Sequence, residues 1–183
     1  MAEQIKDGAG SGSLWRIGSD NRAGVRAVTE SAERYENEQG RAYHLLFTAT
    51  PTAAGDCFLY LKNSSDNDIV MEGIWFRVAS AEQVQVKLGD TGTATSGTDV
   101  TPVNCNAGSA ATAEGTFQTG NDITGLSGGS TVEHYYLTNT ASAHHNFEQD
   151  IIIPKNSTFT LYVVTGAVAI AGTLVFNYYV ETY

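Results

Sequence analysis

The chain has 183 residues, with 10 Lys and Arg against 20 Asp and Glu, a net charge of -10, 19 Gly and 2 Cys. A chain of this length buries about 70% of the surface that its unfolded form exposes, so one sizeable core is within reach without cross-links. Two cysteines make no disulfide framework. The negative charge excludes nucleic acid as the main partner, because phosphate recognition needs clustered Lys and Arg, and an apolar fraction of 42% excludes wholesale disorder.

The charge divides the chain. Residues 1–41 hold six of the ten bases (Lys6, Arg16, Arg22, Arg26, Arg34 and Arg41) against seven acids, whereas residues 42–183 hold four bases against thirteen acids, a net of -9. The first segment reads as an N-terminal docking arm. Lys6 to Ser13 is a flexible Gly/Ser stretch. Leu14-Trp15-Arg16-Ile17 is an apolar island within it. Trp and Arg are over-represented where proteins meet, so these four residues are candidate partner contacts. Residues 28–38 (VTESAERYENE) fit a short helix with Thr29 as candidate N-cap, acids in the first turn and Gly40 as its end. The N-terminus has no apolar run of signal-peptide length, and no stretch of about 18 apolar residues occurs. The expectation is a chain made in a cytoplasm, with no membrane partner.

From Ala42 the grammar is strand and turn. Tyr43–Phe47 and Cys57–Lys62 are β-rich runs, divided from the next by the turn-forming Asn63–Asp68. Ile69–Ala79 contains Gly73, the signature of a bulge or bend. Val84–Leu88 alternates as a half-buried strand does. Residues 89–129 are long and polar, with short strands at most, near Val100–Val103 and Thr116–Gln118. Val132–Leu137, Asp150–Ile153, Thr158–Val164 and Thr173–Val180 complete the set. Seven to nine strands and no crossover helix predict an all-β chain, an antiparallel β-sandwich or jelly roll over 42–183 preceded by an extended arm over 1–41.

Motifs with chemical meaning are few. Gly125-Leu126-Ser127-Gly128-Gly129 has the G-x-S-x-G spacing, but a nucleophile elbow needs a strand before it and a helix after it. Gly8-Ala9-Gly10-Ser11-Gly12 lacks the strand and helix that a phosphate-cradling loop requires. His144 and His145 fall in what reads as a polar loop. As neighbours on an extended chain they point to opposite faces, poor geometry for chelation. Cys57 and Cys105 have no metal spacing: Cys57 reads as a small buried residue, and both as reduced. Asp66-Asn67-Asp68 and Gly89-Asp90 read as turns without calcium-loop spacing. Asn63-Ser64-Ser65 and Asn156-Ser157-Thr158 match the glycosylation pattern and read as chance matches. No catalytic residue, metal or cofactor is expected. The paired tyrosines Tyr135-Tyr136 and Tyr178-Tyr179 should each put one ring in the core and one outside. Tyr136 and Tyr179 therefore join Leu14, Trp15, Arg16 and Ile17 as candidate interface residues.

Tyr43–Phe47, Phe58–Asn63, the Asp66–Val70 turn and strand, Ile151–Ser157, the Asn177-Tyr178-Tyr179 tail and the arm segments Val28–Ser31 and Gly40–Tyr43 together resemble small virion structural proteins of tailed bacteriophages, found as head decoration (cement) or minor head components. The resemblance covers most of the chain. It implies a β-sandwich or jelly-roll body, an N-terminal docking arm, no cofactor, no nucleic acid, and symmetric assembly on a virion as a homo-oligomer, a trimer in the first instance. The implied partners are a major capsid protein or other virion subunits. A receptor- or glycan-binding head of a tail fibre or spike is the alternative, motivated by the polar segment 89–129 and the outward aromatics.

Overall fold

The structure, a computed structural model, describes residues 5–6, 14–15, 32–138 and 142–180. The chain forms two compact units, Met1–Ser31 and Ala32–Tyr183. In the first, β1 (Ile5–Lys6) pairs antiparallel with β2 (Leu14–Trp15), Ile5 opposite Trp15. Arg16 and Ile17, the candidate cap Thr29 and residues 28–31 of the predicted helix lie outside the described residues.

The second unit opens with α1 (Ala32–Glu38). Gly40 adopts φ +71° and its N–H donates to Asn37 O, so it ends the helix as the sequence predicts. The helix packs against the two strands that flank it in space, and its buried Glu36 pairs with Arg41 at 3.3 Å. Ala32–Arg41, which composition groups with the arm, thus belong to the compact unit of the sheets.

The body is almost entirely β. Its strands are β3 (Ala42–Ala49), β4 (Cys57–Asn63), β5 (Asp68–Val78), β6 (Glu82–Leu88), β7 (Thr91–Thr95), β8 (Thr98–Asp99), β9 (Val103–Asn104), β10 (Gly115–Thr119), β11 (Thr124–Ser127), β12 (Ser130–Leu137), β13 (Ser142–Ile153), β14 (Thr158–Val163) and β15 (Ile170–Tyr179). Two antiparallel sheets pack as a β-sandwich. One runs β12-β6-β14-β4-β10-β8 and the other β13-β5-β15-β3-β9. The eight long strands pair in a regular way: β3 with β15, β4 with β14, β5 with β13 and β6 with β12. The chain is thus a long two-stranded ribbon, rolled so that β15 also pairs with β5 and β14 with β6.

Alternation sorts the side chains. Tyr43, Leu45, Phe47 and Ala49 of β3, and Ile170, Leu174, Phe176 and Tyr178 of β15, point inward. They meet Leu59, Leu61, Phe159, Leu161, Val84 and Val86 of the other sheet. Phe58, Phe76, Phe159 and Phe176 are fully buried, each contributing about 1.5–3 kcal/mol through removal from water.

The polar segment 89–129, expected to hold short strands at most, is the bend of the ribbon. Its β10 and β8 extend the first sheet beyond β4, and its β9 extends the second beyond β3. Its β7 and β11 form a separate ribbon that lies on the outer face of the six-stranded sheet, where Ile123, Ala94 and Leu126 pack on Cys57, Tyr60 and Tyr162. Two sheet edges are two-residue strands, β8 and β9. The β13 edge carries a bulge, with Glu148 and Gln149 at positive φ and a register shift between Asn146 and Ile151. Short and bulged edges discourage further strand pairing. The bend expected at Gly73 is present: the register with β15 shifts opposite Gly73 and Met71.

Candidate interaction surface

The two sheets present different outer faces. The six-stranded one is partly covered by the β7–β11 ribbon, held down by Asp90. This buried carboxylate accepts from Thr160 Oγ1 at 2.5 Å, Tyr162 Oη at 3.1 Å and the Gly129 N–H at 3.0 Å. Asp90 is therefore a structural anchor, a role that the sequence reading of Gly89-Asp90 as a turn did not foresee. Burial is the main force that drives the Cys57 thiol up to about 12, with the Asp90 charge second. Burial likewise raises Tyr162 and Tyr60. The buried thiol read from the sequence is what the structure contains, and neither cysteine is in a disulfide.

The five-stranded sheet is different. Pairing register fixes the rows of residues that share its outer face. One row is Leu46, Thr173, Trp75 and His144; the next is Thr48, Ala171, Arg77 and Ser142; the one on the other side is Val103, His44, Val175, Gly73 and Asn146. A fourth row, Ala42, Asn177, Val70 and Ile152, is buried except for Ile152. Leu46 is 61% exposed, Trp75 42% and Val103 59%, an unusual concentration of large apolar groups on an outer sheet face. Between the ridges of Leu46 and Trp75 the small residues Ala171, Gly172 and Thr173 floor a hollow of about 350 Å3.

The free edges β12 and β13 leave a second concavity where the sheets part, a groove of about 600 Å3. His145 faces into it, 3.5 Å from Glu133 Oε2, and its ring lies 4.4 Å from that of Tyr135. Tyr135 Oη donates to the same carboxylate oxygen. His144 faces the other way, its ring stacked on Trp75 at 4.2 Å and 18°. The two histidines do point to opposite faces, but they sit in β13 and not in a loop. Their segment is polar because it is an edge, and polarity alone does not separate an edge strand from a loop. Gln83 Nε2 donates to His134 Nδ1 at 2.6 Å on the far side of β12. Among the described residues no group of three His, Cys, Asp or Glu is placed to hold a metal ion.

Within the body, the two candidate interface tyrosines are not brought together. Tyr136, 80% exposed, stands on β12 at the groove, and Tyr179, half exposed, stands at the end of β15 in the other sheet. Their neighbours Tyr135 and Tyr178 turn toward the core, as strand alternation requires. Leu14 and Trp15 belong to the separate N-terminal unit. Ser127 of the G-x-S-x-G segment lies in β11, followed by strand β12 and no helix, and its carbonyl accepts from Thr91 Oγ1. Asn63, in the first glycosylation match, is fully buried and spends its amide on Asn67 O and Ile153 O. Sequence reasoning missed Leu46 and Trp75. The signal was there: each is a large apolar residue at the outward phase of a strand whose inward neighbours are already apolar. No helix among the described residues is long and apolar enough to cross a membrane. No protein-family model matches this chain, nor does any curated protein or solved structure.

Proposed function

We propose that this chain is a non-enzymatic structural protein of a particle, a decoration or cement protein of a phage capsid, with a jelly-roll body that docks through its N-terminal segment. The observation that carries the reading is the pairing order. A ribbon whose strands pair first with last, second with next-to-last, and so on, rolled into two four-stranded sheets with extra edge strands, supports the jelly-roll reading. Viral capsid proteins are frequent users of that architecture, along with lectins and cupins. The resemblance in sequence supplies the virion context. The division of the chain supports the docking role: residues 1–31 form their own small unit and carry four of the ten bases, ahead of a strongly acidic body.

The test is co-sedimentation with purified virions. The full chain should bind, and a chain lacking residues 1–20 should fold but stay in the supernatant. Binding by the truncated chain would remove the arm from the reading, and failure of the full chain to bind would remove the virion. The second reading, a receptor- or glycan-binding head, draws on the groove that Tyr136 borders, which Glu133, Tyr135 and His145 line. A glycan array with signal abolished by Tyr136→Ala would favour it.

A further inference from the structure

We propose that the outer face of the five-stranded sheet binds an acidic sugar, a hexuronate whose ring is held between Trp75 and Leu46 and whose carboxylate is met by Arg77. The site lies apart from the groove at Tyr136 and does not depend on the virion.

The slot for the ring comes from the pairing register. Leu46 on β3 and Trp75 on β5 flank Thr173 of β15, so their backbones stand two strand spacings apart, about 9–10 Å. One face of the indole lies on the His144 ring of β13, at 4.2 Å and 18°. The opposite face therefore looks across Thr173 toward Leu46. Two apolar contacts of about 3.5–4.0 Å add to about 7–8 Å, the room that a single ring takes between two walls. Both walls are exposed, and Gly172 and Thr173 keep the floor between them low.

The polar end of the site lies one row along. Thr48, Ala171 and Arg77 line this hollow and also a second one of about 660 Å3, so the two adjoin at that row. Arg77 follows Trp75 by two residues on the same face of β5, about 6.6 Å along the strand. Among the described residues Arg77 has no ion-pair partner, and neither hollow is lined by an Asp or a Glu. A guanidinium left without a carboxylate, on a body whose residues 42–183 net -9, is open to a bidentate carboxylate from a ligand. Beyond it, Asn121 spends its Oδ1 on the Thr50 N–H at 2.7 Å, which fixes the amide and leaves Nδ2 to donate into the second hollow.

A hexuronate answers each part. Its C–H faces are apolar and suit the indole and Leu46, whereas its hydroxyls and carboxylate project from the rim of the ring toward Thr48, Arg77 and Asn121. A flat aromatic acid would fill the slot and leave the hydroxyl and amide donors unanswered. At about 0.15 M salt, charges more than about 8 Å away are screened, so Arg77 and not the net -10 sets the field that the carboxylate meets.

Calorimetric titration of the full chain at about 0.15 M salt tests this, with trigalacturonate and trimannuronate as probes and maltotriose as the neutral comparison. At least one uronate should bind saturably, and about tenfold or more tightly than maltotriose. Arg77→Gln should lower that affinity about tenfold or more, the loss that follows removal of a charged hydrogen bond. Trp75→Ala should abolish binding, and Leu46→Ala, at a more exposed site, decides the role of the slot if the first variant fails to fold. Tyr136→Ala should bind as the wild type does. Absence of binding by both uronates at about 10 mM overturns the proposal, as does equal affinity for maltotriose or indifference to Arg77→Gln. Binding that is lost in Tyr136→Ala and kept in Arg77→Gln also overturns it, in favour of the groove.

Discussion

The rings of Trp75 and His144 stack 4.2 Å apart on neighbouring strands, and the register that places them together also aligns them with Thr173 and Leu46. Removing the stacked ring in His144→Leu should therefore change the Trp75 emission, read as a difference from the wild type in which the contribution of Trp15 cancels. Identical emission from the two proteins would mean that the stack does not persist in solution.

Gly172 lies opposite Phe47 in the β3–β15 pair, and the Phe47 ring occupies the space that a side chain at 172 would take. A Cβ there would also collide with the Trp75 carbonyl across the other strand pair. Gly172→Ala should cost about 1–3 kcal/mol by overpacking, read as a lowered midpoint in urea.

Asp90 anchors the insertion to the sheet beneath it. Asp90→Ala strands the hydroxyls of Thr160 and Tyr162 and the Gly129 N–H, and should destabilise the fold by about 3 kcal/mol. Asp90→Asn keeps one acceptor and should cost about half as much. Hydrogen exchange should show β7 and β11 losing protection first in both variants. Equal exchange in these strands and in β14 would mean that the carboxylate supports the whole core and not the insertion alone.

The Cys57 thiol, pushed up to about 12 chiefly by burial, holds its proton in the folded chain well above the pH at which an unfolded thiol releases it, about 8.5. A raised value contributes stability that is complete below the unfolded value and is lost as pH rises through the folded one. Tyr43, Tyr60, Tyr162 and Tyr178 shift in the same direction, each mainly by burial. Resistance to urea should therefore decline from about pH 9 toward pH 12. Cys57→Ala should flatten the first part of that decline. Thiol reagents at pH 8 should label Cys57 only after unfolding.

The long strands were legible because each carries its own local signal. Tyr43–Phe47, Cys57–Lys62, Val84–Leu88 and Thr158–Val164 all fall within one or two residues of β3, β4, β6 and β14. Alternation also assigned the inner and outer members of both tyrosine pairs. The partners of each strand were not legible, because register depends on contacts distant in sequence: nothing around Leu46 announces Thr173 and Trp75. The polar strands β7 and β11 and the first half of β13 were hidden for a different reason. Thr-, Gly- and His-containing segments become strands here only because Ile123 and Leu126 dock on Cys57 and Tyr60, or because β5 offers an edge. The candidate site shows the same split. Outward tyrosines follow from period two, whereas a hollow bounded by three strands exists only after assembly.

The ribbon pairing also sets how this chain acquires its structure. Ala42 is paired with Asn177 and Cys57 with Tyr162, so β3 lacks its long-strand partner until β15 has been made, and β4 waits likewise for β14. High contact order of this kind slows folding to milliseconds or seconds and leaves early strands exposed in the meantime. Synthesis of many copies at once would then favour chaperone capture of nascent chains, and truncation within β15 should give insoluble protein rather than a partly folded body.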